Sequence, residues 1–168
     1  MLAGMVEPGR IATQERSAHV KGIMHRMVWI GLLLTVVHCS GRKNDMTGIF
    51  DGKLGPCPDS PNCVSSESED PSHFIEPLRY TGSQAAAKKI LLQVLMAMRG
   101  VKMITERENY IHVSITSRLF RFVDDVEFYF VDDGPVIHVR SASRVGYSDL
   151  GANRKRIEKI RKDFKPLL

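Results

Sequence analysis

Arginine, serine and asparagine are concentrated in one short segment near the C-terminus, directly after an apolar stretch with the pattern of a strand. Guanidinium groups suit two-pronged contacts with carboxylate or phosphate, and the N-terminus of a helix favours negative charge. We therefore predict a binding site for an anionic small molecule or lipid head group where the last strand meets the final helix. Its expected ligand-binding residues are Arg140, Ser141, Ser143, Arg144, Asn153 and Arg154.

Three acids precede this segment: Asp124, Asp125 and Glu127. We expect them to support the site by orienting its arginines. One alternative is a closed ion-pair network, because half-buried charges in proteins are normally paired. Another is a hard cation such as calcium or magnesium, but neighbouring side chains on a strand point apart. No metal and no cofactor are predicted.

Catalytic motifs are absent from the sequence. It contains no G-x-S-x-G, no HExxH and no Walker loop, and His73, His112 and His138 are isolated from one another. We assign no catalytic residue. A hydrolase that uses a histidine with a nearby acid, such as His138, remains the enzyme alternative, and a purely structural interaction protein of the cell envelope is the third reading.

The composition is that of an ordinary globular protein, with 43% hydrophobic and 26% charged residues and a formal net charge of +5. Positive charge collects toward the C-terminus, where it has the pattern of a solvated helix face. Aromatic residues are not interleaved with this basic run, so it lacks the stacking surface of a single-stranded nucleic-acid binder. No nucleic-acid partner is predicted.

The N-terminus has the pattern of an export signal. The apolar run of residues 27–37 is too short to span a bilayer, which takes about 20 residues, but it fits the hydrophobic region of a signal peptide. Cys39 follows it as in a lipoprotein signal, although His38 is larger than the residue usual there. We predict lipidation at Cys39 and a periplasmic, membrane-attached protein. The alternative is a buried core helix of a cytosolic protein.

The other two cysteines, Cys57 and Cys63, enclose a loop rich in Pro, Asp, Ser and Asn. Such a loop turns back on itself, and an oxidising compartment then favours a disulfide between the two sulfurs. A metal site is the rival interpretation. The second pair of ligands that such sites use is missing from the sequence.

Three regions are expected along the chain. Residues 1–39 form the export segment, of which the first 23 are a misplaced start or an extension, and the glycine-rich residues 40–55 form a flexible tether. Residues 56–168 form one domain. Periodicity predicts a helix that ends at Gly100, four strands joined by short turns, and a final helix. The fold class is α+β, an antiparallel sheet of about four strands with both helices packed on one face.

Three motifs resemble the domain-of-unknown-function family numbered 1499. They are CPDSPNCVSS at residues 57–66, FRFVDDVEF at 120–128 and VRSASRVGYSDLGANRKRIEKIR at 139–161. The resemblance extends roughly from Gly55 to Phe164. Members of that family are bacterial and plastid proteins, many with export signals, so it implies an exported, membrane-associated protein. It implies no particular activity, ligand or catalytic residue.

Overall fold

A computed structural model of the chain describes residues 46–164. The expected export segment, residues 1–39, and the proposed lipidation site Cys39 lie outside this range. Within it, no helix has both the length and the apolar character needed to cross a membrane.

Eight strands and two helices follow one another between residues 46 and 164. The strands are β1 (Ile49–Phe50), β2 (Lys53–Leu54), β3 (Cys63–Ser65), β4 (Leu78–Arg79), β5 (Val101–Arg107), β6 (Tyr110–Thr116), β7 (Val123–Phe130) and β8 (Val136–Ser143), and the helices are α1 (Gln84–Ala97) and α2 (Ala152–Phe164). The class is α+β, as predicted.

The main sheet is larger than the four strands expected from the sequence. It is antiparallel, in the order β3-β8-β7-β6-β5, and β4 also pairs with β8. Strands β3 and β4 lie end to end along one edge of β8, where Val64 is opposite Ser141 and Leu78 is opposite Ile137. At two or three residues each, they are too short to show an alternating pattern, and pairing with β8 alone defines them.

One face of the main sheet forms the hydrophobic core. Its apolar side chains alternate along the strands, with Ile111 and Val113 on β6, Val126 and Phe128 on β7, and Val139 on β8. The buried residues of both helices belong to the same core: Ala87, Leu91, Val94 and Leu95 from α1, and Ile157, Ile160 and Phe164 from α2.

Glycine is required at the end of the first helix. Gly100 has φ 77°, and a Cβ atom there would lie 2.6 Å from the carbonyl oxygen of Thr116. The Thr116 N–H donates to the Gly100 carbonyl at 3.0 Å, so the chain passes directly from the helix into β5 beside the end of β6. A side chain at position 100 would push these two backbones apart.

The described part of the expected tether, residues 46–55, contains a small hairpin. Strands β1 and β2 pair as a separate two-stranded sheet, with Asp51 and Gly52 at positive φ in the turn. The hairpin is held by side chains distant in sequence: the Gly48 N–H donates to Glu127 at 2.6 Å and the Leu54 N–H to Glu67 at 2.7 Å. Gly52, one of the glycines that suggest flexibility here, shapes the turn.

The predicted disulfide is confirmed. Cys57 and Cys63 are bonded, with their Cα atoms 5.7 Å apart. Cys63 begins β3, and the adjacent Asn62 is nearly buried, with its carbonyl oxygen accepting from Ser143 N–H at 3.0 Å. The disulfide therefore ties the start of an edge strand to the loop before it.

Breaking this disulfide should cost about 2 kcal/mol of the free energy of unfolding, because it closes a loop of only six positions. Urea unfolding of wild type and of the double variant Cys57→Ser with Cys63→Ser measures the difference, with reductant added to wild type as a second route to the same state. Equal midpoints for oxidised wild type and the double variant would contradict a stabilising role.

Candidate functional site

The second face of the main sheet, which we call the polar face, carries charged side chains that are buried. It presents Tyr110 and His112 from β6, Asp125 and Glu127 from β7, and Arg140 from β8. All five are buried, and Glu127 and Arg140 have no exposed surface. Charges buried to this degree need partners, and the register of the strands supplies them.

Glu127 is the centre of the first group on this face. One carboxylate oxygen accepts from the Tyr110 hydroxyl at 2.7 Å and from the Gly48 N–H at 2.6 Å, and the other accepts from Arg140 Nη1 at 2.8 Å. Arg140 Nη2 donates to the carbonyl oxygen of Pro56 at 3.2 Å. Burial, followed by the nearby negative charge of Glu127, raises the pKa of Tyr110, so this tyrosine stays a hydrogen-bond donor.

Asp125 is the centre of the second group. It accepts from Arg144 Nε at 2.9 Å and Nη2 at 2.8 Å, and its Oδ1 lies 2.8 Å from His112 Nε2. Burial alone would raise the pKa of Asp125, but the hydrogen bonds and charges of His112 and Arg144 outweigh burial and lower it to about 2. The bond to Asp125 in turn raises the pKa of Arg144.

Acid should weaken the fold through Asp125. Its pKa falls from 3.8 in the free carboxyl to about 2 in the folded protein, so the unfolded chain takes up the proton first. The stabilisation is therefore complete above about pH 4 and is lost as the pH falls toward 2, by about 2 kcal/mol. Urea unfolding across this range should show the loss in wild type, and Asp125→Asn should lack that component. An unchanged acid profile in the variant would contradict the assignment.

The remaining predicted residues lie on the helix side of the sheet, beneath α2. Asn153 accepts from Ser141 Oγ at 2.6 Å and donates to Ser143 Oγ at 3.0 Å, while Asp124 is paired with Arg156. Asp149 caps this helix by accepting from Asn153 N–H at 2.7 Å. Adjacent strand residues point to opposite faces, so Asp124 and Asp125 are separated by the sheet itself.

A family model described as "Protein of unknown function (DUF1499)" matches residues 53–164, which is more than half of the chain. The chain belongs to this family. The matched range begins at the first residue of β2 and ends at the last residue of α2, so it includes the side chains of both polar groups and the whole main sheet. No curated protein and no solved structure gave a match. Export and a lipid anchor stay predictions.

The predicted convergence of Arg140, Arg144 and Arg154 is wrong. Arg140 and Arg144 share the polar face but bind different acids, and Arg154 is on α2, where it donates to the carbonyl oxygens of Phe74 at 2.7 Å and Ser72 at 2.9 Å. The three arginines are close in sequence, but Arg140 and Arg144 lie on the polar face and Arg154 lies on α2, on the other side of the sheet.

Three residues of these networks are not among the site residues predicted from the sequence: Tyr110, His112 and Arg156. Tyr110 and His112 were visible only as the polar positions of an alternating strand, and that alternation places them on the same face as Asp125 and Glu127. Arg156 follows Asn153 by three positions on a helix, which puts both on one helical face. The spacing was available in the sequence, but the choice of strand partners was not.

The three described histidines have separate polar partners. His138 Nδ1 lies 3.0 Å from Ser66 Oγ, His112 is paired with Asp125, and His73 Nε2 lies 3.8 Å from Asp70 Oδ2. None of these histidines stands between a hydroxyl and an acid in one chain of hydrogen bonds, which is the arrangement that activates a serine nucleophile. Between residues 46 and 164, no group of three or more His, Cys, Asp or Glu side chains is placed to hold a metal ion.

A cleft of about 600 Å³ lies between the hairpin and the disulfide loop. The charged residues that line it are mostly acidic, so the cleft repels anions. The acids are Asp51, Asp59, Glu67, Glu69 and Asp70, and the basic residues are Lys53 and His73. None of the predicted anion-binding arginines lines it. An anionic ligand therefore does not suit this cleft. The candidate for anion binding is instead Arg144, which lies elsewhere on the polar face.

Proposed function

We propose that this domain is a non-catalytic binding module of the bacterial cell envelope, held at a membrane in the periplasm by lipid on Cys39. Its ligand is the anionic group of a lipid head group or of a small molecule, and Arg144 is the residue that binds it. The proposal keeps the ligand class expected from the sequence and narrows the site to one arginine.

The partial exposure of Arg144 is the observation that supports this choice. Its side chain is 18% exposed, compared with 11% for Arg156 and none for Arg140. Asp125 takes the Nε and Nη2 atoms of Arg144, and Nη1 has no hydrogen-bond partner within residues 46–164. A guanidinium held on one edge and free on the other is pre-organised to receive an anion.

The enzyme alternative has less support. The His112–Asp125 pair has the chemistry of a general base, but it is buried and no hydroxyl is joined to it among the described residues. General acid–base catalysis needs the histidine within reach of the reacting proton. A partly exposed arginine beside that pair fits binding better than turnover.

Binding of inorganic phosphate and of glycerol 3-phosphate to the full chain tests the proposal, by calorimetry and by the shift in melting temperature. We expect wild type to respond and Arg144→Ala to lose the response, with a stability cost of about 1–2 kcal/mol because Asp125 keeps His112 as a partner. Arg144→Lys should bind more weakly than wild type, since it keeps the charge but loses the fork geometry.

Arg154→Ala is the matched control, because Arg154 donates only to backbone carbonyls. It should leave the response to both probes unchanged. A wild-type protein that responds to neither probe, or an Arg144→Ala variant that responds as wild type does, would overturn the proposed site.

A further inference from the structure

The four most exposed large hydrophobic side chains of the described residues lie on two neighbouring loops. We call this region the loop end; it consists of residues 117–122, between β6 and β7, and residues 144–151, between β8 and α2. Its exposed fractions are large for apolar side chains: Leu119 80%, Phe120 70%, Phe122 51%, Tyr147 75% and Leu150 87%. Water contact on this scale is unfavourable, and apolar groups gathered in this way mark an interaction surface.

Backbone hydrogen bonds hold the two loops side by side. The Ser117 N–H donates to the Phe122 carbonyl at 2.8 Å and closes the first loop, and the Arg144 N–H donates to the Val123 carbonyl at 3.0 Å. The rings of Phe120 and Phe122 lie 5.7 Å apart. The two loops therefore leave the same end of the sheet, where Phe120 and Phe122 contact each other.

The backbone of the loop end is strained. Arg121 has φ 55° and Leu150 has φ 54°, and they are two of the three non-glycine residues with positive φ between residues 46 and 164. This left-handed conformation is unfavourable for residues with a Cβ atom. Strain of this kind persists at positions where the surroundings impose it, and such positions cluster at functional surfaces.

Arginines alternate with the apolar residues in the first loop. Arg118 and Arg121 flank Leu119 and Phe120, both arginines are exposed, and neither has a partner within the described residues. Arginine keeps its charge at a membrane surface while its stem lies along apolar groups, and aromatic rings favour the same interfacial depth. Unpaired positive charge attracts anionic lipids.

We infer that the loop end docks onto the surface of a bilayer that contains anionic lipids, with Phe120 and its apolar neighbours inserted among the head groups. The inference deepens the proposed function and rests on it in one respect, the anchor at Cys39. The chain from residue 39 to residue 46 spans at most about 25 Å. The Gly48 contact on Glu127 lies four residues along β7 from Val123, about 13 Å from the loop end. An anchored domain can therefore reach the bilayer with these loops.

A tryptophan at position 120 tests the docking in the full chain, with Trp29→Phe removing the single native tryptophan. We expect Phe120→Trp fluorescence to shift to the blue and to be quenched by brominated lipid in phosphatidylcholine vesicles containing about a third phosphatidylglycerol. Adding Arg118→Gln and Arg121→Gln should weaken the insertion about 30-fold, because each arginine near an anionic surface contributes about a factor of five.

Asp133→Trp is the matched control, since residue 133 lies in the exposed turn at the opposite end of the same sheet. Its fluorescence should not change, and an equal shift at both positions would mean non-specific adsorption and overturn the docking. No shift at position 120 in anionic vesicles also overturns it, and points to a protein partner for this surface.

The two proposals fail in different ways. If position 120 stays in water while phosphate binding still depends on Arg144, the docking is wrong and the proposed function stands. If position 120 inserts while Arg144→Ala leaves phosphate binding unchanged, the docking stands and the proposed anion site is wrong.

Discussion

Replacing Glu127 with alanine is expected to lower the free energy of unfolding by about 3–5 kcal/mol. The change leaves Arg140 charged and without its acid in a place that water does not reach, and a buried charge without a partner is strongly destabilising. It also removes the acceptor of Tyr110 and of the Gly48 N–H, which releases the hairpin from the polar face. Urea unfolding measures the loss.

Two further variants show whether the loss comes from the unpaired charge. Glu158→Ala removes the acid of a pair in which Glu158 is 53% exposed, and it should cost less than about 1 kcal/mol. Glu127→Leu combined with Arg140→Met removes both charges and should recover part of the loss. If Glu127→Ala costs no more than Glu158→Ala, the buried pair does not stabilise the fold.

Arg156→Ala should cost about 3 kcal/mol, although Arg156 is not among the site residues predicted from the sequence. Asp124 is buried and pairs with Arg156, and its Oδ1 atom already lacks a hydrogen-bond partner within the described residues. Removing Arg156 leaves the carboxylate without a counter-charge beneath α2. The free energy of unfolding from urea titration gives the cost directly.

Arg154→Ala is the natural comparison, because it makes the same substitution on the same helix two residues earlier. Arg154 donates to two backbone carbonyls that water can satisfy in its place, so the cost should stay at about 1 kcal/mol or less. Similar losses for the two variants would show that the ion pair beneath α2 adds little beyond the hydrogen bonds of any surface arginine.

The side chains of both charged networks lie inside the range that the family model matches. One of the networks binds the hairpin that precedes the disulfide. The polar face, the hairpin and the edge strand β3 are therefore coupled through Glu127, Arg140 and the backbone of Pro56. Replacing Glu127 or Arg140 should therefore loosen the region that precedes the disulfide loop.

Local patterns in the sequence determined the fold class, both helices, the four long strands and the disulfide. Each of these depends on residues close together in the chain: an apolar period of a helix, an alternation along a strand, or two cysteines six positions apart. The charged run after Val139 was also recognised as unusual, and the arginine that we propose to bind the ligand lies within it.

Only the tertiary structure decided which charges meet. The registers of β6, β7 and β8 place Asp125 beside His112 and Arg144, and Glu127 beside Arg140, while the pleat of β7 sends Asp124 to the helix side. Strands β3 and β4 form by pairing with the distant strand β8, and the hairpin is held by hydrogen bonds to the distant Glu127 and Glu67. The few residues of these strands carry no pattern of their own. Sequence distance grouped Arg140, Arg144 and Arg154 into one site. In the fold, Arg140 and Arg144 pair with different acids of the polar face, and Arg154 lies on α2, which packs on the opposite face of the sheet.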